Sequence, residues 1–204
     1  MRRHVILFAR SPRFGRVKTR LAHDIGKVET LRFYRNTLAS ISKRIADHGT
    51  YQFSIALTPD IDVDDNAGPL LHGFELKAQG DGDLGLRMSS TFANLSSGPA
   101  LIIGSDIPDI QPHHIELAFA KLGQSDAVFG PCDDGGYWLV GLKRLRPTPP
   151  NFMKKVRWSS SHTLKDTIAT LPKHWKMSYI NNLDDIDDGA AFHKWRKRQT
   201  MRNF

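Results

Sequence analysis

The chain of 204 residues carries a single cysteine, Cys132, which excludes an internal disulfide and fits a reducing compartment. No apolar run approaches the roughly 18 residues a membrane-crossing helix needs, so no membrane span is expected. The apolar segment behind the basic N-terminus is too short for a signal-peptide core, and arginine follows at once, so the expected location is cytoplasmic. CxxC and HExxH are absent, which removes the common zinc arrangements. GxSxG is absent too, and Ser159 to Ser161 have no evident base nearby in sequence. GxxxxGK[ST] is absent, and the basic stretch RSPRFGRVKTR behind the first strand does not match GxGxxG, so neither a P-loop nor a dinucleotide fingerprint is placed there. Asp60, Asp62 and Asp64 imitate the start of an EF-hand. Asp65 stands where that loop requires glycine and Leu71 where it requires glutamate, so the stretch reads as a solvated loop. His113 and His114 are helix neighbours about 100° apart and cannot easily share a metal. No internal repeat, low-complexity tract or long linker divides the chain, and one domain over 1–204 is expected.

What is present is a 40% hydrophobic, 25% charged chain with a formal net charge of +8. That balance favours an anionic partner. The acids are clustered between the basic stretches, however, and would repel a nucleic acid unless a metal intervened. No stable nucleic-acid partner is therefore expected. Apolar patterning predicts strands at HVILFA (4–9), YQFSIAL (51–57), FELKA (74–78), ALIIG, DAVFG (126–130), GGYWLVGL (135–142) and WKMSYI. Helices are predicted over 28–49, 83–95, about 111–122, most of RWSSSHTLKDTIATL, and DDGAAFHKWRKRQ. The alternation implies a three-layer α/β/α sandwich around a mixed, mainly parallel sheet. GGYWLVGL follows DAVFG after a turn too short for a crossover helix, so it is the expected antiparallel strand.

Ligands of such sheets bind beyond the C-terminal strand ends, where the polar stretches fall. RSPRFGRVKTR, behind the first strand, joins glycine to a dense set of cations and suits phosphate oxygens. In GSDIPDI, Asp106 stands at a strand end as a hard oxygen ligand for Mg²⁺ or Mn²⁺, while Asp109 reads as a helix-capping or first-turn acid. In PCDDGGYW, Asp133 and Asp134 fit a metal, a sugar hydroxyl or a general base, or else simply a tight hairpin turn. Cys132 beside them should keep its proton. In NLDDIDDGAAF, Asp188 reads as a helix cap and Asp185 or Asp187 as a second metal ligand. The tail HKWRKRQTMR reads as a solvated helix end.

The succession ILFARSPRFGRVKTRLA, QGDGDLGLRM, LIIGSDIPDI, VFGPCDDGGYWLVGL, RWSS and LDDIDD resembles a family of small bacterial transferases. That family is known as radical-SAM/selenodomain-associated, or glycosyltransferase-A-like (GT-A-like), and belongs to the nucleotide-diphospho-sugar transferase superfamily. The resemblance runs from Ile6 to about Asp188. It implies that Arg10, Arg13, Gly15, Lys18 and Arg20 hold nucleotide phosphates and that Gln79, Leu84 and Gly85 contact the base. Asp106 and Asp187 would bind the metal, and Gly135, Gly136 and Tyr137 would line the acceptor side. Asp134 and Lys18 would be catalytic, and Trp158 matches a family tryptophan without an assigned role. The chain departs from the family pattern at Ile107 and in DIDDGAAF, which keeps Asp187 but not the threonine that usually follows. The expected activity is that of a metal-dependent enzyme, a glycosyltransferase or nucleotidylyltransferase using an NDP-sugar or an NTP with an unknown acceptor. The alternative is a non-catalytic nucleotide- or RNA-binding protein.

Overall fold

The computed structural model describes residues 1–64 and 68–202; Asp65, part of the acidic stretch read above as a solvated loop, lies outside them. The strands are β1 (His4–Arg10), β2 (Gln52–Thr58), β3 (Leu76–Ala78), β4 (Ala100–Gly104), β5 (Ala127–Pro131), β6 (Tyr137–Leu142) and β7 (Met177–Tyr179). They form one seven-stranded sheet in the order β3-β2-β1-β4-β6-β5-β7. β6 runs antiparallel to both β4 and β5, and the remaining pairings are parallel. The antiparallel strand is the one its short connection demanded.

The helices are α1 (Thr19–Ile25), α2 (Lys27–Ala46), α3 (Ile61–Asp64), α4 (Leu84–Asn94), α5 (Pro112–Gln124), α6 (Thr163–Ala169) and α7 (Gly189–Arg202). Successive β1 side chains enter opposite cores, as the two-residue period of a strand requires. Val5 and Leu7 pack with Tyr34, Leu38 and Ile41 of α2 and Ile115 of α5. Ile6 packs with Met88 and Phe92 of α4 and with Phe129 and Phe152. Burial on both faces is why β1 reads as a continuous apolar run. A smaller cluster of Leu21, Phe33, Ile186 and Phe192 fastens α7 to α1 and α2.

Four expectations are corrected. The stretch behind Asp60 is not wholly a solvated loop: Ile61–Asp64 form α3, and Asp62 is buried. The last two residues of RSPRFGRVKTR are not loop: Thr19 and Arg20 open α1, whose buried Leu21 supplies the packing that a seven-residue helix needs. The segment 157–162 is not helix. The Oγ atoms of Ser160 and Thr163 both donate to the Arg157 carbonyl, and Arg157 grips Asp166 through two bonds of 2.7 and 2.9 Å. These local bonds offer the backbone an alternative to the helical ladder. Asp109 does not cap α5; Gln111 occupies that position, and Asp109 accepts from Arg198 on α7 at 3.2 Å. Asp188 does cap α7, accepting from the Ala191 N–H at 2.8 Å.

His4 and His114 are buried, and desolvation holds both below the ordinary histidine value. Arg144, Lys77 and Arg2 add to the effect at His4 against an opposing Glu75, and His113 adds to it at His114 against Asp109. The unfolded chain therefore takes up protons first, near pH 6.5, and stability falls as pH drops below that value. Thermal melts should show Tm declining from pH 7 to pH 5. His4→Gln, which retains a partner for Ser96 Oγ (3.0 Å from His4 Nε2), should decline less. Identical acid sensitivity in both proteins would contradict this assignment.

Candidate active site

Because β1, β4, β5 and β7 are mutually parallel, their C-terminal ends share one edge of the sheet, and the hairpin 132–136 leading into β6 joins them there. A cleft of about 860 Å³ opens at this edge, beside the point where the chain order reverses between β1 and β4. Its walls include Arg10, Arg16, Lys18, Arg20, Asp106, Asp134, Asp185 and Asp187.

The acidic side assembles from distant parts of the chain. Asp106 follows β4. Asp185 and Asp187 lie in the segment after β7, which is pinned by backbone bonds from Leu183 to the Pro131 carbonyl (3.2 Å) and from Ile186 to the Asp106 carbonyl (3.3 Å). Trp138 Nε1 donates to the Asn181 carbonyl (2.9 Å), and Asn182 Nδ2 donates to Asp133 (2.9 Å). One carboxylate oxygen from each of Asp106, Asp185 and Asp187 lies within 4.8 Å of the other two. Burial, reinforced by Asp106 and Asp187, pushes the Asp185 carboxyl up to about 7.

Lys18 meets this group from the basic side. Its backbone is left-handed (φ 47°) at the entrance to α1, which aims the side chain into the cluster. Its Nζ donates to Asp106 Oδ2 at 2.8 Å and to Asp187 Oδ1 at 2.5 Å, and the side chain is only 6% exposed. Burial alone would lower the ammonium's pKa, but the two carboxylates outweigh it and raise it. For Asp187, burial acts upward and Lys18 prevails downward. Three carboxylate oxygens form a hard donor set suited to Mg²⁺ or Mn²⁺. That an ammonium already bridges two of them indicates that the cluster is arranged for a cation.

The remaining expected site residues divide into two groups. Arg10, Arg20, Leu84, Asp134, Gly136 and Tyr137 line the cleft. Asp134 Oδ1 also accepts from the Gly136 N–H (2.8 Å), so it shapes the hairpin while facing the cleft. Gln79 lines the wall but is engaged: Nε2 donates to the Ala9 and Ala56 carbonyls, and Oε1 accepts from Arg87 Nη1 at 3.2 Å. The side chain offered to a ligand there is Arg87.

Arg13, Gly15, Gly85 and Gly135 lie outside the walls. Arg13, on the expected phosphate loop, pairs with Asp62 and is not among the residues lining the cleft. A Cβ on Gly85 would lie 2.4 Å from the Met153 carbonyl oxygen and 2.7 Å from Trp158 Cζ2, so glycine admits that segment against α4. At Gly135, φ is +85° and a Cβ would meet the Ser161 carbonyl oxygen at 2.4 Å. Both glycines serve packing.

Arg16 lies in the stretch expected to meet phosphate without having been singled out there, and Arg87, Tyr34 and Thr58 are cleft residues that were not anticipated as site members. The Tyr34 hydroxyl donates to the Arg10 carbonyl (2.9 Å), accepts from its N–H (3.0 Å) and lies 3.2 Å from Ser105 Oγ. It thereby joins the ends of β1 and β4. Its place on the apolar stripe of α2 disguised it as core. Cys132 lines the cleft, where burial and then Asp185 and Asp134 raise its pKa, so the thiol keeps its proton as expected. The Trp158 ring also lines the cleft, and its buried Nε1–H has no hydrogen-bond partner among the described residues.

The sequence profile of a family described as "uncharacterized protein conserved in bacteria (DUF2064)" matches residues 40–160. The crystal structure of a putative nucleotide-diphospho-sugar transferase from Desulfovibrio desulfuricans G20 is similar with a TM-score of 0.81. It is 24% identical, over 92% of this chain and 84% of that one. CMP:2-keto-3-deoxy-manno-octonic acid synthetase complexed with CTP matches with a TM-score of 0.56 at 9% identity, over 99% and 100% of the two chains. The Rv0371C complex with manganese from Mycobacterium tuberculosis H37Rv matches with a TM-score of 0.57 at 10% identity, over 95% and 97%. At these identities the likeness concerns the fold, which is that of nucleotidyltransferases and GT-A-like proteins. A search of curated proteins gave no match.

Proposed function

The chain belongs to the DUF2064 family, and from that membership and the geometry of the cleft we propose that it is a metal-dependent, nucleotide-using transferase. Its donor is an NDP-sugar or an NTP, and its reaction is accordingly glycosyl or nucleotidyl transfer. The observation that carries this reading is the opposition, across one cleft, of a cationic loop and a carboxylate triad. The reading includes a single domain over 1–204, a cytoplasmic setting and the finer placement among the radical-SAM/selenodomain-associated transferases. A CTP complex and a manganese complex among proteins of the same fold support it.

In this reading Asp106, Asp185 and Asp187 hold Mg²⁺ or Mn²⁺, which when bound neutralises phosphate charge. Arg10, Arg16 and Arg20 bind the phosphate oxygens from the other side and stabilise the charge that collects on the departing diphosphate or pyrophosphate. Arg87 extends from α4 toward the nucleoside, oriented by Gln79 and by its Nε bond to the Gly82 carbonyl (3.0 Å). Asp134 orients an acceptor hydroxyl and takes its proton in glycosyl transfer, whereas an acceptor phosphate needs no base. Gly136, Tyr137 and Trp158 enclose the acceptor side and exclude water.

The test is a thermal-shift panel of NTPs, NDPs and NDP-sugars with Mn²⁺, Mg²⁺ or EDTA. The expected result is a rise in Tm selective for one nucleotide and abolished by EDTA. An NTP or an NDP-sugar response then assigns the subclass. Indifference to metal, with affinity for any polyanion that collapses with salt, would instead identify the non-catalytic binding protein.

A further inference from the structure

Lys18 stands where a metal ion would have to go. Its ammonium bonds to two of the three carboxylates that could ligate a divalent cation, at 2.8 and 2.5 Å. The oxygens of the triad lie within 4.8 Å of one another, so a cation held among them would be a close neighbour of Nζ. Two positive charges that close repel strongly, and a side chain only 6% exposed has little water to screen them. The ammonium and the metal therefore exclude each other. The left-handed backbone of Lys18 is sparsely populated for residues other than glycine. Arg10, Arg16 and Arg20 line the same cleft, so a phosphate group bound there would offer the displaced ammonium a new anionic partner.

Building on the transferase reading above, we propose that Lys18 is the resident counter-cation of the carboxylate cluster in the ligand-free protein. It yields its place to the metal and turns to the donor's phosphates, so that metal and nucleotide bind as a mutually dependent pair. Metal alone must displace Lys18 without a new partner for the ammonium, and so binds weakly. With phosphate present the exchange is favourable, and by linkage the metal raises nucleotide affinity by the same factor. The device keeps the charged cleft neutralised between turnovers.

The test uses the full chain and Mn²⁺ alone, with free Mn²⁺ followed by its paramagnetic resonance signal. Lys18→Met should bind Mn²⁺ at least tenfold more tightly than wild type, and Asp106→Asn should lose binding in either background. A folded Lys18→Met protein that binds Mn²⁺ no better than wild type overturns the proposal, while the loss in Asp106→Asn would leave the metal-site reading standing. Failure of wild type and Lys18→Met alike to bind Mn²⁺ overturns both. Amine labelling of wild type, read by peptide mass spectrometry, serves independently of the variant's folding. Lys18 should be protected without metal and labelled at saturating Mn²⁺, and unchanged protection would also overturn the exchange.

Discussion

Asp106→Asn should reduce turnover of the donor identified by the nucleotide panel by about 10³-fold, or about 4 kcal/mol of transition-state stabilisation. The substitution keeps the shape of the side chain while removing its charge. It spares the backbone carbonyl of Asp106, which accepts from the Ile186 N–H and helps hold the segment carrying Asp185 and Asp187. The fold should therefore survive, with Tm within a few degrees of wild type. Lys18 would keep Asp187 as a partner but lose its bond to a charged Asp106. Because positioning and charge neutralisation dominate transfer at phosphate, the loss should appear mainly in kcat and in the Mn²⁺ requirement. The checks are a steady-state assay across a Mn²⁺ titration and a melt of the same preparation. A variant retaining a tenth or more of wild-type turnover would remove Asp106 from the catalytic centre.

Trp138→Ala should have the largest effect on stability, about 3–5 kcal/mol. For a chain of this length that corresponds to a fall in Tm of about 6–20 °C. The indole is 2% exposed in the core beneath the cleft, edge-on to His114. It fits because Gly130 on β5 has no side chain; a Cβ there would meet the ring at 2.5 Å. Its Nε1–H satisfies the Asn181 carbonyl at the start of the acidic segment, so the same side chain serves both the core and the site. Trp138→Phe separates the two contributions. It keeps most of the volume, should cost less in Tm, and should still weaken Mn²⁺ binding by loosening the segment that carries Asp185 and Asp187. Calorimetry of the three proteins and a Mn²⁺ titration would measure this. Equal Mn²⁺ affinity in wild type and Trp138→Phe would show that Asn181 needs no such anchor.

Much of the architecture was legible in the residues. β1 and β4 announce themselves as apolar runs because parallel strands are buried on both faces, and α2 shows its core stripe at helical spacing. The short Asp-Gly connection of 132–136 required an antiparallel return, and β6 makes one. α1 was illegible because its basic residues resemble a phosphate loop and its helix is held by burial of Leu21. Segment 157–162 read as helix because its Ser, Thr and Arg side-chain bonds to the backbone leave no mark on apolar periodicity.

The candidate site divides along the same line. That acids and bases stand behind strand ends follows from local order along the chain, and so did the candidacy of Asp106 and Asp134, whereas Lys18 and the choice of Asp187 over Asp185 came from the family resemblance. Which of them meet was decided by tertiary structure, because β7 pairs parallel with β5 and delivers Asp185 and Asp187 to Asp106 across some 80 positions of sequence. The same packing sent Arg13 to Asp62, gave Gln79 to Arg87, and inserted Lys18 between two carboxylates. Periodicity and strand-end position are properties of neighbouring residues, and a sequence displays them directly. The pairing of charges across a cleft depends on strand order and backbone direction far apart in the chain, and only the folded sheet sets those.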